Sequence, residues 1–235
     1  PEFHFGIFDG PDDLVLDLGP DFGSTLFSAD GSTFAVSHMF GPEPQGVIYD
    51  TGSLTARRTI PWDVEALGRP TVVDLSRDGS TVLLRGSPPP PPFPGAPVAD
   101  MPMYVASTEG EDEPVLAVPS TDEVKFEIRL TSAGRIAYVA EVVGPTTEWE
   151  LRTVGVDGSD PRTLWTVPAV GIGMRVAAEI GTGRLIVESP TPPGSSTLSD
   201  LHVVDDSPAA TRQVVAEGVE ISATLGGLTR LVVPA

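Results

Sequence analysis

Residues 71–85, TVVDLSRDGSTVLLR, restrict what this chain can fold into more tightly than any other stretch. An alternating run rich in β-branched residues reaches Asp78-Gly79, a pair suited to the positive φ angles of a tight hairpin turn, and a second aliphatic run follows at once. The same pattern stands at residues 26–36 (LFSADGSTFAV), with looser versions at 128–139 (IRLTSAGRIAYV), 176–187 (VAAEIGTGRLIV) and 221–233 (ISATLGGLTRLVV). The turn glycines Gly31, Gly79, Gly134, Gly183 and Gly227 lie 48, 55, 49 and 44 residues apart. A hairpin recurring at that period, with room for a second hairpin after most copies, suits one four-stranded propeller blade per repeat. The expectation is an all-β chain forming a five-bladed β-propeller of four-stranded antiparallel blades.

The remaining segments fill that plan. Residues 5–9 and 14–18 flank the turn cluster Gly10-Pro11-Asp12-Asp13 and make a lone hairpin. Blade one continues through a connection at 38–46 (HMFGPEPQG) to a second hairpin at 47–60; blade two has its second hairpin at 103–118, beyond a Pro-rich connection. Blade three starts at Val124 and carries ELRTVGVDGSDPRTLW, and blade four starts near Met174 and closes with LHVVDDSPAATRQVVA. The chain then ends on one more hairpin, residues 219–233. The last blade is therefore expected to close by joining the N- and C-terminal strand pairs, which removes unpaired sheet edges. Pro1-Glu2-Phe3 reads as a cloning scar, so the single propeller domain is placed at 4–235 and the natural protein is expected to begin earlier, with a signal or membrane anchor.

The segments SADGSTFAVS, LSRDGSTVLL and VGVDGSDPRTLW resemble the repeats of TolB-like and WD-like β-propellers. In those repeats a serine-x-aspartate-glycine turn links the inner strands, and a DGS-type turn precedes an arginine-leucine outer strand. Later blades depart from the pattern, with Gly181-Thr182-Gly183 and Gly226-Gly227 in place of Asp-Gly. The resemblance implies the fold and carries over no catalytic residues.

Fourteen basic against 33 acidic residues give a formal charge of −19, which repels a phosphate backbone and anionic lipid headgroups. Nucleic acid is excluded as a partner on that ground, and no apolar run reaches the length of a membrane span. Lys125 is the only lysine, a bias read as codon usage. With no cysteine there is no disulfide framework, thiolate metal site or cysteine nucleophile, and no cofactor is expected. Asp157, Ser159 and Asp160, and Asp9, Asp12 and Asp13, cluster oxygens without the spacing of a Ca²⁺ loop, and are read as turn-closing side chains. No metal site is assigned.

With blade strands lettered a to d from the axis outward, the b–c and d–a connections emerge on one face. The b–c connections at 38–46, 86–101, 142–149 and 188–199 are long and mostly Pro-rich, and insertions gathered on one rim of a repeat scaffold mark its binding surface. They carry Met39, Phe40, Phe93, Met101 and Trp149, side chains of the kind enriched at interfaces. The leading expectation is a non-catalytic recognition or sensor propeller, monomeric and extracytoplasmic, that binds a protein or peptide there. A second is a carbohydrate-binding or carbohydrate-active propeller using the inner-strand groups Asp74, Glu127, Arg129, Glu179 and Glu220 at the channel. A third is a structural spacer in a membrane-anchored protein. No GxSxG, HExxH, Walker or GxGxxG motif is present.

Edge closure is directly testable. Removing residues 219–235 is expected to yield aggregation or a lowered melting temperature. A truncated chain that sediments as a monomer and melts unchanged would contradict closure.

Overall fold

The structure, a computed structural model, describes residues 5–8, 14–19, 21–40, 42–87, 102–121, 123–169, 173–190, 198–223 and 229–232. The chain divides into two compact units, Pro1–Asp122 and Glu123–Ala235. Among the described residues no helix is long and apolar enough to cross a membrane.

In the first unit, β1 (Phe5–Phe8) and β2 (Leu14–Gly19) pair as the antiparallel N-terminal hairpin. β3 (Phe22–Phe27), β4 (Thr33–His38), β5 (Gln45–Asp50) and β6 (Ala56–Ile60) follow as a four-stranded meander. A single-turn helix, α1 (Val64–Leu67), leads to a second sheet of β7 (Arg69–Leu75), β8 (Thr81–Ser87), β9 (Met103–Ser107) and β10 (Val115–Val118). All pairings are antiparallel between chain neighbours, as the period-2 patterns require.

Alternation along β4 shows how the sheets stack. Phe34 and Val36 are buried on one face with Leu18 of β2, while Ala35 is buried on the other with Val72, Val82, Leu84 and Ala106 of the next blade. An inner strand covered on both faces reads as an unbroken apolar run, which is why TFAV lacks polar residues after its first position. Phe34 also stacks on Phe27 and Tyr49, with ring centroids 5.3 and 4.8 Å away.

The second unit repeats the plan. β11 (Val124–Thr131), β12 (Arg135–Val142), β13 (Glu148–Gly155) and β14 (Arg162–Pro168) form one four-stranded sheet. β15 (Arg175–Glu179), β16 (Arg184–Pro190), β17 (Leu198–Asp205), β18 (Arg212–Ala223) and β19 (Thr229–Val232) form the next. Their shared core sets Ala137, Val139, Trp149 and Leu151 against Met174, Val176, Leu185 and Val187. Where the sequence suggests a break before the C-terminal hairpin, β18 instead runs on for 12 residues. Residues 212–220 of it pair with β17 and residues 220–223 with β19, because the run from Val214 to Ile221 offers no turn dipeptide to end the strand. β1–β2 thus stands as a two-stranded sheet, and β18–β19 as the outer hairpin of a five-stranded one.

Two of the inner hairpins, β3–β4 and β7–β8, are closed by one device. Asp30 Oδ1 accepts from the Ser28 hydroxyl (2.6 Å), the Ser32 amide (3.0 Å) and the Ser32 hydroxyl (2.9 Å). Asp78 repeats it with Ser76 and Ser80 at 2.7, 3.1 and 2.8 Å. In each, the first serine's hydroxyl also accepts from the threonine amide across the turn, at 3.1 and 2.9 Å. These donors hold both carboxyls below the usual carboxylate range, the serine hydroxyl two residues back contributing most. The residue after each third strand then donates its amide to the inner turn of its own blade: Thr51 to Ser32, Thr108 to Ser80, Val156 to Gly134 and Asp206 to Gly183.

Gly31 and Gly79 both sit at positive φ, 71° and 69°, but their surroundings differ. A Cβ at Gly31 would meet nothing within 4 Å, whereas one at Gly79 would lie 2.7 and 2.8 Å from Thr33 of the preceding blade's turn. Gly31→Ala should therefore cost only the conformational term, about 1–2 kcal/mol. Gly79→Ala should cost roughly 1–3 kcal/mol more, because the blade contact must also open. Denaturant unfolding of both variants checks the order; equal losses would refute the contact.

Candidate functional site

In the first unit, the b–c connection after β4 and the d–a connection after β6 leave their sheet at the same end, and between them lies a groove of about 530 Å³. Pro42, Pro44 and Pro61 stiffen its walls, the buried Ile60 forms its floor, and Gln45 and Thr59 line it with polar atoms. Glu43 and Glu65 stand exposed at its margin.

Local chemistry fixes the wall formed by residues 61–68. Asp63 caps α1, its Oδ1 accepting from the amides of Glu65 and Ala66, both at 3.0 Å. Gly68, at φ 73°, ends the turn by donating its amide to the Val64 carbonyl. The Trp62 indole N–H donates to the Gly68 carbonyl at 2.7 Å, and its ring meets Tyr104 of β9 edge-on, centroids 5.3 Å apart. Gly86 of β8 lets this wall close down, since a Cβ there would fall 2.2 Å from the Leu67 carbonyl oxygen. The groove is thus preformed, with its tryptophan already held by internal contacts.

The interface candidates distribute unevenly. Phe40 is 63% exposed beside the groove's b–c segment. Met39 folds inward: its Sδ lies 3.8 Å from the Thr71 hydroxyl, and its side chain occupies the space a Cβ at Gly23 would need. Trp149 lies on β13, 9% exposed, in the core between the two sheets of its unit. The strand begins at Glu148, so Trp149 belongs to the inward-facing alternation and is not presented to a partner. Phe93 and Met101 lie outside the described residues.

Several of the inner-strand candidates already have partners within their own unit. Asp74 on β7 accepts from the Leu75 amide at 2.9 Å. Arg129 is exposed on β11. Glu179 is a clamp between blades: one carboxylate oxygen accepts from the Ser132 amide (2.8 Å), the other from the Ser132 hydroxyl (2.9 Å) and the Gly183 amide (3.0 Å). Glu220 lies on β18, its backbone register falling between Leu198 and Val232. Glu127 sits at a bulge with φ 52°, 3.5 Å from Arg175, which also lies 4.0 Å from Glu188. Burial pushes the Glu188 carboxyl up, and the nearby Glu127 charge adds to it.

Of the acidic turns, Asp9, Asp12 and Asp13 lie outside the described residues, and the one at residues 157–160 is likewise committed. Asp157 accepts from the Ser159 amide and hydroxyl at 2.9 and 2.6 Å, while Asp160 pairs with Arg135 and Arg162. Among the described residues no three His, Cys, Asp or Glu side chains converge as a metal site.

Sequence reasoning missed three features. The d–a connection carries no repeat signal, although Trp62-Asp63 followed by Gly68 marks a capped helical turn. Glu188 was read only as the start of a loop. His202, within the segment that closes blade four, carries no motif in the sequence, yet it is 5% exposed, its Nε2 lies 2.9 Å from the Ser189 hydroxyl, and its Nδ1 has no hydrogen-bond partner. Trp165 packs edge-on against it at 4.4 Å, with the Arg212 guanidinium 4.5 Å over the indole.

No protein-family model matches the chain, and no curated protein matches it. Among solved structures it is similar to a chain from a structural and mechanistic study of two prolyl endopeptidases, at 15% identity and a TM-score of 0.58, covering 95% of this chain and 34% of that one. It is similar to the β-propeller domain of the Trilobed protease from Pyrococcus furiosus, a domain with an open velcro topology, at 11% identity and a TM-score of 0.55, covering 86% and 59%. It also resembles a chain of the nidogen/laminin complex, at 15% identity and a TM-score of 0.51, covering 87% and 70%. This chain therefore spans between about a third and three fifths of the first two chains it matches. At such identities the likeness shows the fold: an all-β propeller of four-stranded antiparallel blades.

Burial depresses the basicity of His202, the Arg212 charge adding to it, and burial likewise depresses that of His38. A histidine whose folded value lies below its unfolded 6.5 binds fewer protons folded than unfolded, so stability is lost as pH falls below about 6.5, by at most ~1.4 kcal/mol per pH unit for each group. Glu188, shifted upward, opposes this at lower pH. The difference between wild type and His202→Gln isolates the histidine: the variant should melt with a shallower fall between pH 7 and 5, and parallel curves would assign His202 no such role.

Proposed function

We propose that this propeller is a non-catalytic recognition module that binds a protein or peptide on the face formed by the b–c and d–a connections. The observation that carries the reading is the preformed groove on that face, with proline walls, an exposed phenylalanine beside it and a tryptophan locked in its wall. Rigid walls lose little conformational freedom on docking, so contact area there converts more fully into affinity. The opposite end of the first unit, by contrast, is taken up by short turns whose polar groups bond one another. In this reading the module acts as a monomer, outside the cytoplasm, and without nucleic acid as a ligand.

Affinity capture from the source organism, read by mass spectrometry, tests the face. Thr59→Arg projects a long side chain into the groove from an exposed position, and Phe40→Asp removes the exposed ring. Each should lower recovery of a specific partner at least tenfold while the melting temperature stays within about 2 °C, as expected for surface substitutions. Undiminished recovery by both variants would move recognition to another face.

A further inference from the structure

We infer that the groove receives an extended, arginine- or lysine-bearing segment of a partner protein. This rests on the recognition reading above and adds the chemistry of the occupant.

Charge complementarity selects it. Among the described residues, the charged side chains lining the groove are Glu43 and Glu65, both exposed and placed on opposite connections, so a segment lying between the walls passes a carboxylate on either side. The capping carboxylate of Asp63 adds a third negative charge to the same wall. The whole chain carries −19, which raises the local concentration of cations around it. An acidic or phosphorylated segment would meet repulsion from both sides.

The shape supports an extended chain. Pro42, Pro44 and Pro61 donate no backbone N–H, so the walls offer apolar surface and carbonyl oxygens in place of a ladder for a new strand. The Trp62 N–H is engaged by Gly68, leaving the indole to act through its face and edge. A basic side chain reaching Glu43 or Glu65 can lay its methylene stem along such a surface while its head pairs with the carboxylate.

The test uses three pentapeptides of matched backbone: Ac-Pro-Arg-Pro-Arg-Pro-NH2, its glutamate counterpart and its alanine counterpart. Binding is followed by calorimetry and by tryptophan emission at low and physiological salt. The arginine peptide should bind at least tenfold more tightly than the other two. Glu43→Gln/Glu65→Gln should abolish that preference without changing the melting temperature, and added salt should weaken binding as screening shortens the reach of the rim charges. Arginine-peptide binding that survives the double substitution would overturn the inference by assigning the attraction to the diffuse charge. Equal binding of all three peptides, blocked by Thr59→Arg, would overturn the charge preference and leave the groove reading standing. If no peptide binds and partner capture survives Thr59→Arg, both fail together.

Discussion

The carboxylate of an Asp-Gly-Ser turn, collecting donors from the residues around it, is the interaction on which the rest of this structure depends. At Asp30 and Asp78 three donors converge on one oxygen, and at Asp157 two do. Each set is local in sequence, so it forms without help from distant residues and sets the register of the strand pair it closes. Register has a large consequence in this chain. A slip of one residue would turn Phe34 and Val36 toward the next blade and Ala35 toward the N-terminal hairpin, exchanging large side chains for a small one on both faces. Turn chemistry therefore determines how closely the sheets approach.

Between sheets, polar contacts take over at the turn end, where apolar packing stops. Arg58, buried on β6, donates to the carbonyls of Ser107, Glu109 and Asp112 in the outer turn of the following blade. In the second unit Asp206, its side chain fully buried, forms an ion pair with Arg135 at 2.8 Å and accepts hydrogen bonds from Thr153 at 2.9 Å and Arg162 at 3.2 Å. Both arrangements bring a guanidinium fork from one blade to the outer turn of its neighbour, and arginine suits this because one planar group satisfies several acceptors. A buried charge of this kind specifies geometry more than it stabilises, since desolvation offsets much of the attraction.

How far the molecule could be read from its sequence follows the range of these interactions. Hairpins closed by Asp-Gly-Ser were legible to within a residue or two, because donors and acceptor lie within five positions of one another. Trp149 was misplaced onto a loop because Pro145 and two threonines suggested a long connection, whereas β13 starts at Glu148 and continues the inward alternation through Leu151. Glu179 looked like a channel carboxylate by alternation, but its partners at Ser132 lie 47 residues away and no local pattern announces them. Lys125, read only as a compositional trace, is 2% exposed on β11, so the lysine count said nothing of the surface. The groove escaped for a similar reason: one wall comes from a connection outside the repeat, and only its meeting with the proline-rich loop makes a cavity.

Stiffness and charge at that groove do different work. Prolines, a capped helical turn and a tryptophan bonded to Gly68 remove most of the motion an occupant would otherwise have to arrest, so the walls govern how tightly an apolar stem is held. Glu43 and Glu65 are exposed and screened, and exposed charges contribute little to net affinity while strongly affecting encounter rate and the rejection of like-charged segments. The overall charge of −19 acts in the same sense over a longer range. A site built this way separates its tasks: the rigid wall sets residence time, and the acidic rim sets which segments arrive. Substitutions in the wall should therefore appear in dissociation, and substitutions at the rim in association and its dependence on salt, because the two sets of residues act at different stages of the same encounter.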